Sequence, residues 1–169
     1  MALRLLTGNS RTLLYQSCRA YAAGSDFLKE VNLRNKSGEV FASAFEGKAV
    51  LLYFSAGWCG QCRLFTPKLK KWFEEAGKPN GVELIWISRD RSAEDLAAYH
   101  KKALPEISYI PFGDPSVRKF LQKYQIKTIP SLFLVNNEGE IVDRNVKTRI
   151  ETEGKENPKK LAKDLRDAA

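Results

Sequence analysis

Apolar residues gather in two nearly unbroken runs, and the stretches after them carry helical spacing. Ala49–Ser55 (AVLLYFS) holds no charge, which predicts a fully buried central strand. Val82–Ser88 (VELIWIS) predicts a second buried strand, and a short strand is expected earlier, at Val40–Ser43. Beyond Ala56–Gly57 the period changes. Leu64, Leu69, Trp72 and Phe73 give one apolar face to a helix starting near Cys59, and Gly77-Lys78-Pro79-Asn80-Gly81 stops it. Pro67 lies inside this helix and is expected to kink it.

Further on, Ser92 can cap a helix over Ala93–Ala103, which Pro105 ends. Asp114 followed by Pro115 starts another, reaching about Tyr124. Ser131–Val135 and Glu140–Arg144 read as a hairpin around Asn136–Gly139. Asn157 and Pro158 open a last helix with Leu161 and Leu165 on its apolar face. Strands alternate with helices and a hairpin follows. That order predicts an α/β domain over residues 25–169, with a central mixed sheet and helices on both faces.

Charge changes the picture mainly at the N-terminus. The net charge of +8 invites a nucleic-acid reading, but Arg4, Arg11 and Arg19 sit in the first 21 residues without an acid, and omitting them leaves +5. The other lysines are scattered, as on a solvated face, so no nucleic-acid partner is expected. Residues 1–24 are Arg-bearing, hydroxyl-rich and free of Asp and Glu, and Thr7 to Thr12 interrupts any secretory apolar core. This is the composition of a mitochondrial transit peptide, with cleavage expected after Tyr21 and a matrix address. No run of 18 apolar residues exists, so neither a membrane-spanning helix nor a membrane partner is expected.

Cys18 lies in that leader, leaving Cys59 and Cys62 as a lone C-x-x-C pair. Structural zinc takes about four ligands. The only histidine, His100, falls on another predicted helix and reads as solvent-facing, so no metal is expected. A c-type haem tether needs His after the second cysteine, and position 63 is Arg. Redox chemistry fits. A strand-to-helix junction puts Cys59 at a helix N-terminus, where unpaired amides favour a thiolate. Cys62 follows one turn later on the same face, a separation compatible with a disulfide. Ile129-Pro130 precedes an apolar strand, where a proline lacking an amide belongs.

Trp58-Cys59-Gly60-Gln61-Cys62, Pro67 and Ile129-Pro130 together resemble the redox motif, helix kink and cis-proline loop of the thioredoxin fold. More narrowly, YFSAGWCGQCRLFTPKL, ISRDRSAEDLAAY and IPFGDPSVRKFLQKYQIKTIPSLFLVNNEGEIV are similar to the tryparedoxin and nucleoredoxin branch, over roughly residues 36–145. The resemblance implies a dithiol carrier that reduces protein disulfides. By it, Cys59 is the nucleophile and Cys62 the resolving thiol, closing a Cys59–Cys62 disulfide. Trp58 shields the site, Gly60 and Gln61 separate the thiols, and Ile129 and Pro130 shape the partner's groove. It implies no cofactor beyond that disulfide. The implied partners are protein disulfides of peroxiredoxin or glutathione-peroxidase type, with an upstream thiol or reductase and the chain acting as a monomer.

Three positions depart from the tryparedoxin or thioredoxin patterns. Gly60-Gln61 replaces the tryparedoxin Pro-Pro, Arg89 replaces a Trp, and Tyr53 stands where ordinary thioredoxins place an Asp that assists the second cysteine. Tyr53 itself reads as core packing. Arg63, Arg89 and Arg144 are candidates for partner recognition by sequence neighbourhood. Two other functions share the fold, an interaction module without turnover and a disulfide oxidase or isomerase. Both cysteines and the loop proline are retained, and the N-terminus is not secretory.

Overall fold

The computed structural model describes residues 26–169. The transit-peptide expectation and Cys18 lie outside the described residues.

The two apolar runs form the centre of the fold. β3 (Ala49–Ser55) and β4 (Val82–Ser88) pair in parallel over seven positions, from Ala49 opposite Val82 to Ser55 opposite Ser88. On the other side of β3, β6 (Ser131–Val135) runs antiparallel and continues into β7 (Ile141–Asp143). β1 (Leu33–Asn35), β2 (Gly38–Val40) and β5 (Ser108–Tyr109) complete a seven-stranded mixed sheet in the order β2-β1-β5-β4-β3-β6-β7.

Strand periodicity splits the core in two. Ala49, Leu51 and Tyr53 face one side of the sheet, and Val50, Leu52 and Phe54 the other. The first side is covered by α1 (Gly60–Trp72), α2 (Ala93–Ala103), α4 (Val146–Glu151) and α6 (Pro158–Ala168), through residues such as Phe65, Leu96, Ile150 and Leu161. The second is covered by α3 (Pro115–Lys123), with Phe120 and the following Tyr124, and by Leu28, Leu33 and Phe45 ahead of β3. Helices therefore lie on both faces, and every residue of β3 is buried.

Several boundaries differ from expectation. The strand placed at Val40–Ser43 is β2, Gly38–Val40, and a 3-10 turn over Ala42–Phe45 follows because Phe45 turns inward to the core. α1 ends at Trp72, and a π-helical turn, Phe73–Gly77, carries the chain onward. Pro67 is accommodated inside α1. Leu64, expected on the apolar face of α1, is 66% exposed. The face is set instead by Phe65, Leu69 and Trp72, at helical spacings that exclude position 64. The second hairpin strand is shorter than Glu140–Arg144, and α4 and the one-turn α5 (Glu153–Glu156) occupy the segment between it and the last helix. Arg149 anchors that segment through its guanidinium to Asp143 at 3.0 Å and Glu153 at 2.9 Å.

Because β4 and β5 run parallel to β3 while β6 runs antiparallel, the ends of β3, β4 and β5 share one edge with the start of β6. Gly57–Cys59, Ser88–Arg91 and Ile129–Pro130 meet there. Open α/β sheets present their sites at this edge.

Candidate functional site

β3 ends at Ser55, and Ala56, Gly57 and Trp58 lead into α1. Cys59 is the N-cap of α1, with an extended backbone (φ −82°, ψ 115°). A cap residue offers its side chain to the unpaired amides of the first turn. Here the acceptor is sulfur: the Cys62 N–H donates to Cys59 Sγ at 3.2 Å. The Cys59 thiol also reaches the Ile129 carbonyl at 3.7 Å. Both cysteines are free thiols, Cys59 7% exposed and Cys62 fully buried.

The two thiols occupy different environments. Burial pushes the Cys62 thiol up to about 12, the neighbouring Cys59 adds to the rise, and a backbone hydrogen bond from Ala56 opposes it. Cys59 is reachable and faces a helix N-terminus, whereas Cys62 is withdrawn beneath it. Such an arrangement can attack with one sulfur and hold the other in reserve.

The residues singled out in the sequence converge on this edge. The Ile129–Pro130 peptide is cis. Ile129 packs with Ala56 against Cys59 and Cys62. Trp58 is 48% exposed, its indole Nε1–H donates to the Arg89 carbonyl at 2.9 Å, and the Arg91 guanidinium lies 5.5 Å above its ring. Gly60 and Gln61 are exposed in the first turn of α1, and a Cβ added at Gly60 would meet nothing within 4 Å. Of the arginine candidates, Arg63 donates to the Gly57 carbonyl at 3.4 Å. Arg89 contributes its carbonyl to Trp58, and its side chain is exposed. Arg144 sits over the Phe133 ring at 5.3 Å.

Three further side chains, all within the family-like stretches of the sequence, complete the surroundings. Asp90 accepts the Gly57 N–H at 2.8 Å and the Ser88 hydroxyl at 2.7 Å, fixing the turn before Trp58. Thr66 and Tyr99 join Tyr53 in a buried hydroxyl cluster, so Tyr53 is more than packing. Thr66 has a weak sequence signal, standing four residues after Cys62 on the same helix face. Tyr99 has no such spacing, because it arrives from another helix.

A groove of about 990 Å³ runs beside the site between α1 and α2, bordered by Trp58, Arg63, Asp90, Arg91 and Tyr99. Among the described residues, no three His, Cys, Asp or Glu side chains gather as a metal site. His100 is not solvent-facing, as the sequence suggested. It is 6% exposed, stacked on Trp86 at 5.8 Å with a 7° interplanar angle, and 4.8 Å from the Tyr109 ring. Leu96, Tyr99 and His100 form the inward stripe of α2, which places the imidazole in the core.

A family model described as thioredoxin-like matches residues 47–141. Tryparedoxin of Trypanosoma brucei brucei is 37% identical over 121 residues, covering 70% of this chain and 83% of that protein. Probable nucleoredoxin 1 of Arabidopsis thaliana is 35% identical over 121 residues, covering 71% of this chain and 20% of the relative, so the match spans about a fifth of that longer protein. The crystal structure of a thioredoxin from Wuchereria bancrofti superposes with a TM-score of 0.69 at 34% identity, covering 83% of this chain and 97% of that one.

Proposed function

From the premise that this chain belongs to the thioredoxin-like family of thiol oxidoreductases, in its tryparedoxin and nucleoredoxin branch, we propose that it is a dithiol carrier that reduces protein disulfides. The observation that carries this reading is the sulfur-capped helix: Cys59 Sγ receives the Cys62 N–H at 3.2 Å while Cys62 lies buried one turn on. Cys59 attacks a partner's disulfide and forms a mixed disulfide. Cys62 then attacks Cys59, closes the Cys59–Cys62 bond and releases the partner's thiols. An upstream thiol or reductase restores the dithiol.

Trp58, Gly57, Ile129 and the backbone at Pro130 form the apolar rim that a partner segment meets, with Arg63 and Arg91 supplying charge at its border. Oxidised peroxidases of peroxiredoxin or glutathione-peroxidase type are the proposed substrates. The arginine-bearing, acid-free N-terminal segment supports a mitochondrial matrix address.

The test is a trapping experiment. Reduced Cys62→Ser protein mixed with an oxidised peroxiredoxin should accumulate a covalent complex that dithiothreitol dissolves, and Cys59→Ser/Cys62→Ser should form none. A complex that forms equally well in the double variant would defeat the assignment of Cys59 as nucleophile.

A further inference from the structure

Beside the cysteines, three hydroxyls form a buried chain. Tyr53 OH and Thr66 Oγ1 lie 2.7 Å apart, and Thr66 Oγ1 and Tyr99 OH also lie 2.7 Å apart. Tyr53 and Thr66 are fully buried, while Tyr99 borders the groove between α1 and α2. Each hydroxyl carries a single hydrogen, and each link consumes one. Within the chain, which has Ser55 as a further partner at its Tyr53 end, one hydrogen is left over. It belongs to Tyr99 if the chain runs one way, to Tyr53 if it runs the other, and to Thr66 if both tyrosines donate inward.

The last arrangement bears on Cys62. Thr66 stands four residues after Cys62 in α1, one turn on and on the same face of the helix. Little else favours charge on that sulfur. Burial opposes it, as do the neighbouring Cys59 and the negative charge of Asp90, while a hydrogen bond from the Ala56 backbone acts in its favour. Both tyrosines are sensitive to charge on Cys62, and burial holds both hydroxyls protonated, as donors. An apolar trio would fill the same space without the cost of burying three polar groups.

We infer that the Tyr53–Thr66–Tyr99 chain supports the Cys62 thiolate during resolution of the mixed disulfide, by turning the spare Thr66 hydrogen toward the sulfur. The inference rests on the dithiol-carrier reading. In the step concerned, the Cys62 S–H bond breaks and its sulfur forms a bond to Cys59. The bond between Cys59 and the partner sulfur breaks, and its electron pair leaves with the partner, which takes up a proton. Cys62 is oxidised and the partner sulfur reduced. The hydroxyls reorient and neither gain nor lose a proton, so these are positioning residues.

The experiment uses the reduced full chain with Cys18→Ser, the wild type at both site thiols, in stopped flow with dithiobis-nitrobenzoate, whose coloured thiolate is then released once when Cys59 attacks and again when Cys62 resolves. Thr66→Val should slow the second release relative to the first by about tenfold at neutral pH. The pH midpoint of that phase should rise by about one unit, and the deficit should vanish in alkali. Thr66→Ser should restore both. A deficit equal at every pH, or none in a folded Thr66→Val protein, overturns the inference. Should Thr66→Val fail to fold, Thr66→Ala, which removes the same hydroxyl, is judged by the same criteria. A wild-type protein that shows no second release overturns the carrier reading itself, whatever the variants do.

Discussion

The backbone N–H of Gly57 donates to the Asp90 carboxylate across 2.8 Å, so the turn that presents Trp58 and Cys59 is held by a residue at the end of β4. Asp90 is itself held by the Ser88 hydroxyl at 2.7 Å, and the Arg89 carbonyl between them accepts from Trp58. One short loop thus holds both the Gly57 backbone and the Trp58 indole.

Removing the carboxylate should loosen this turn. Asp90→Ala is expected to lower stability by about 1–2 kcal/mol, since hydrogen bonds to charged groups are the stronger kind and this site is partly exposed. Asp90→Asn, which keeps an acceptor for Gly57, should lose less. Urea unfolding measures both, and Trp58 fluorescence should shift more in the alanine variant.

Gly60 is the first residue of α1, a position that favours proline because its N–H is unpaired there in any case. A proline also demands an extended residue before it, and Cys59 already has φ −82° and ψ 115°. Space is open around Gly60. Gly60→Pro should therefore raise stability by about 0.4–1 kcal/mol through a less flexible unfolded chain. A thermal melt should show a gain of about 1–4 °C. A lower melting temperature would mean that the turn needs the freedom of glycine.

The hairpin glycine should be far less tolerant. Gly139 has φ +72°, and a Cβ there would stand 2.6 Å from Cγ of Phe27. Gly139→Ala combines left-handed strain with displacement of a ring that packs against the core, and should cost about 1–3 kcal/mol. Pairing it with Phe27→Ala in a double-mutant cycle separates the two, since only the clash depends on Phe27.

What could be read beforehand followed from signal length. β3 and β4 stand where their apolar runs lie, because β3 is buried at every position and β4 at every position but Glu83, which leaves no other assignment. The caps at Ser92 and Asp114 accept the N–H groups of Asp95 and Ser116, as those residue types predict. β5 could not be found, because two residues carry no period and owe their strand to β4 and β1 on either side. At the site, Trp58, Cys59, Cys62 and Pro130 belong to local motifs. Asp90 and Tyr99 reach the site through tertiary packing, so no spacing from the cysteines announces them, although both lie in the family-like ISRDRSAEDLAAY stretch.

His100 was misplaced because a single histidine on a charged helix reads as surface, yet its neighbours Leu96 and Tyr99 mark the buried stripe. The consequence is a pH dependence. Its ring lies between Trp86 and Tyr109, and among the described residues its buried Nε2 has no hydrogen-bond partner. Burial holds its proton affinity below the ordinary histidine value near 6.5, with Lys36 acting in the same direction and the Ile107 backbone and Glu106 against it. The unfolded chain therefore binds a proton that the folded chain refuses. The stability contributed by the neutral ring is complete above about pH 6.5 and declines as pH falls below it, at up to about 1.4 kcal/mol per pH unit, until the folded ring also takes its proton. Replacing the ring in His100→Phe keeps an aromatic stack on Trp86 and removes the titration. Urea midpoints measured from pH 7.5 down to about 5 should fall more steeply for the wild type than for His100→Phe. Parallel curves would show that the ring protonates as readily in the folded protein as in the unfolded one, contrary to its buried setting.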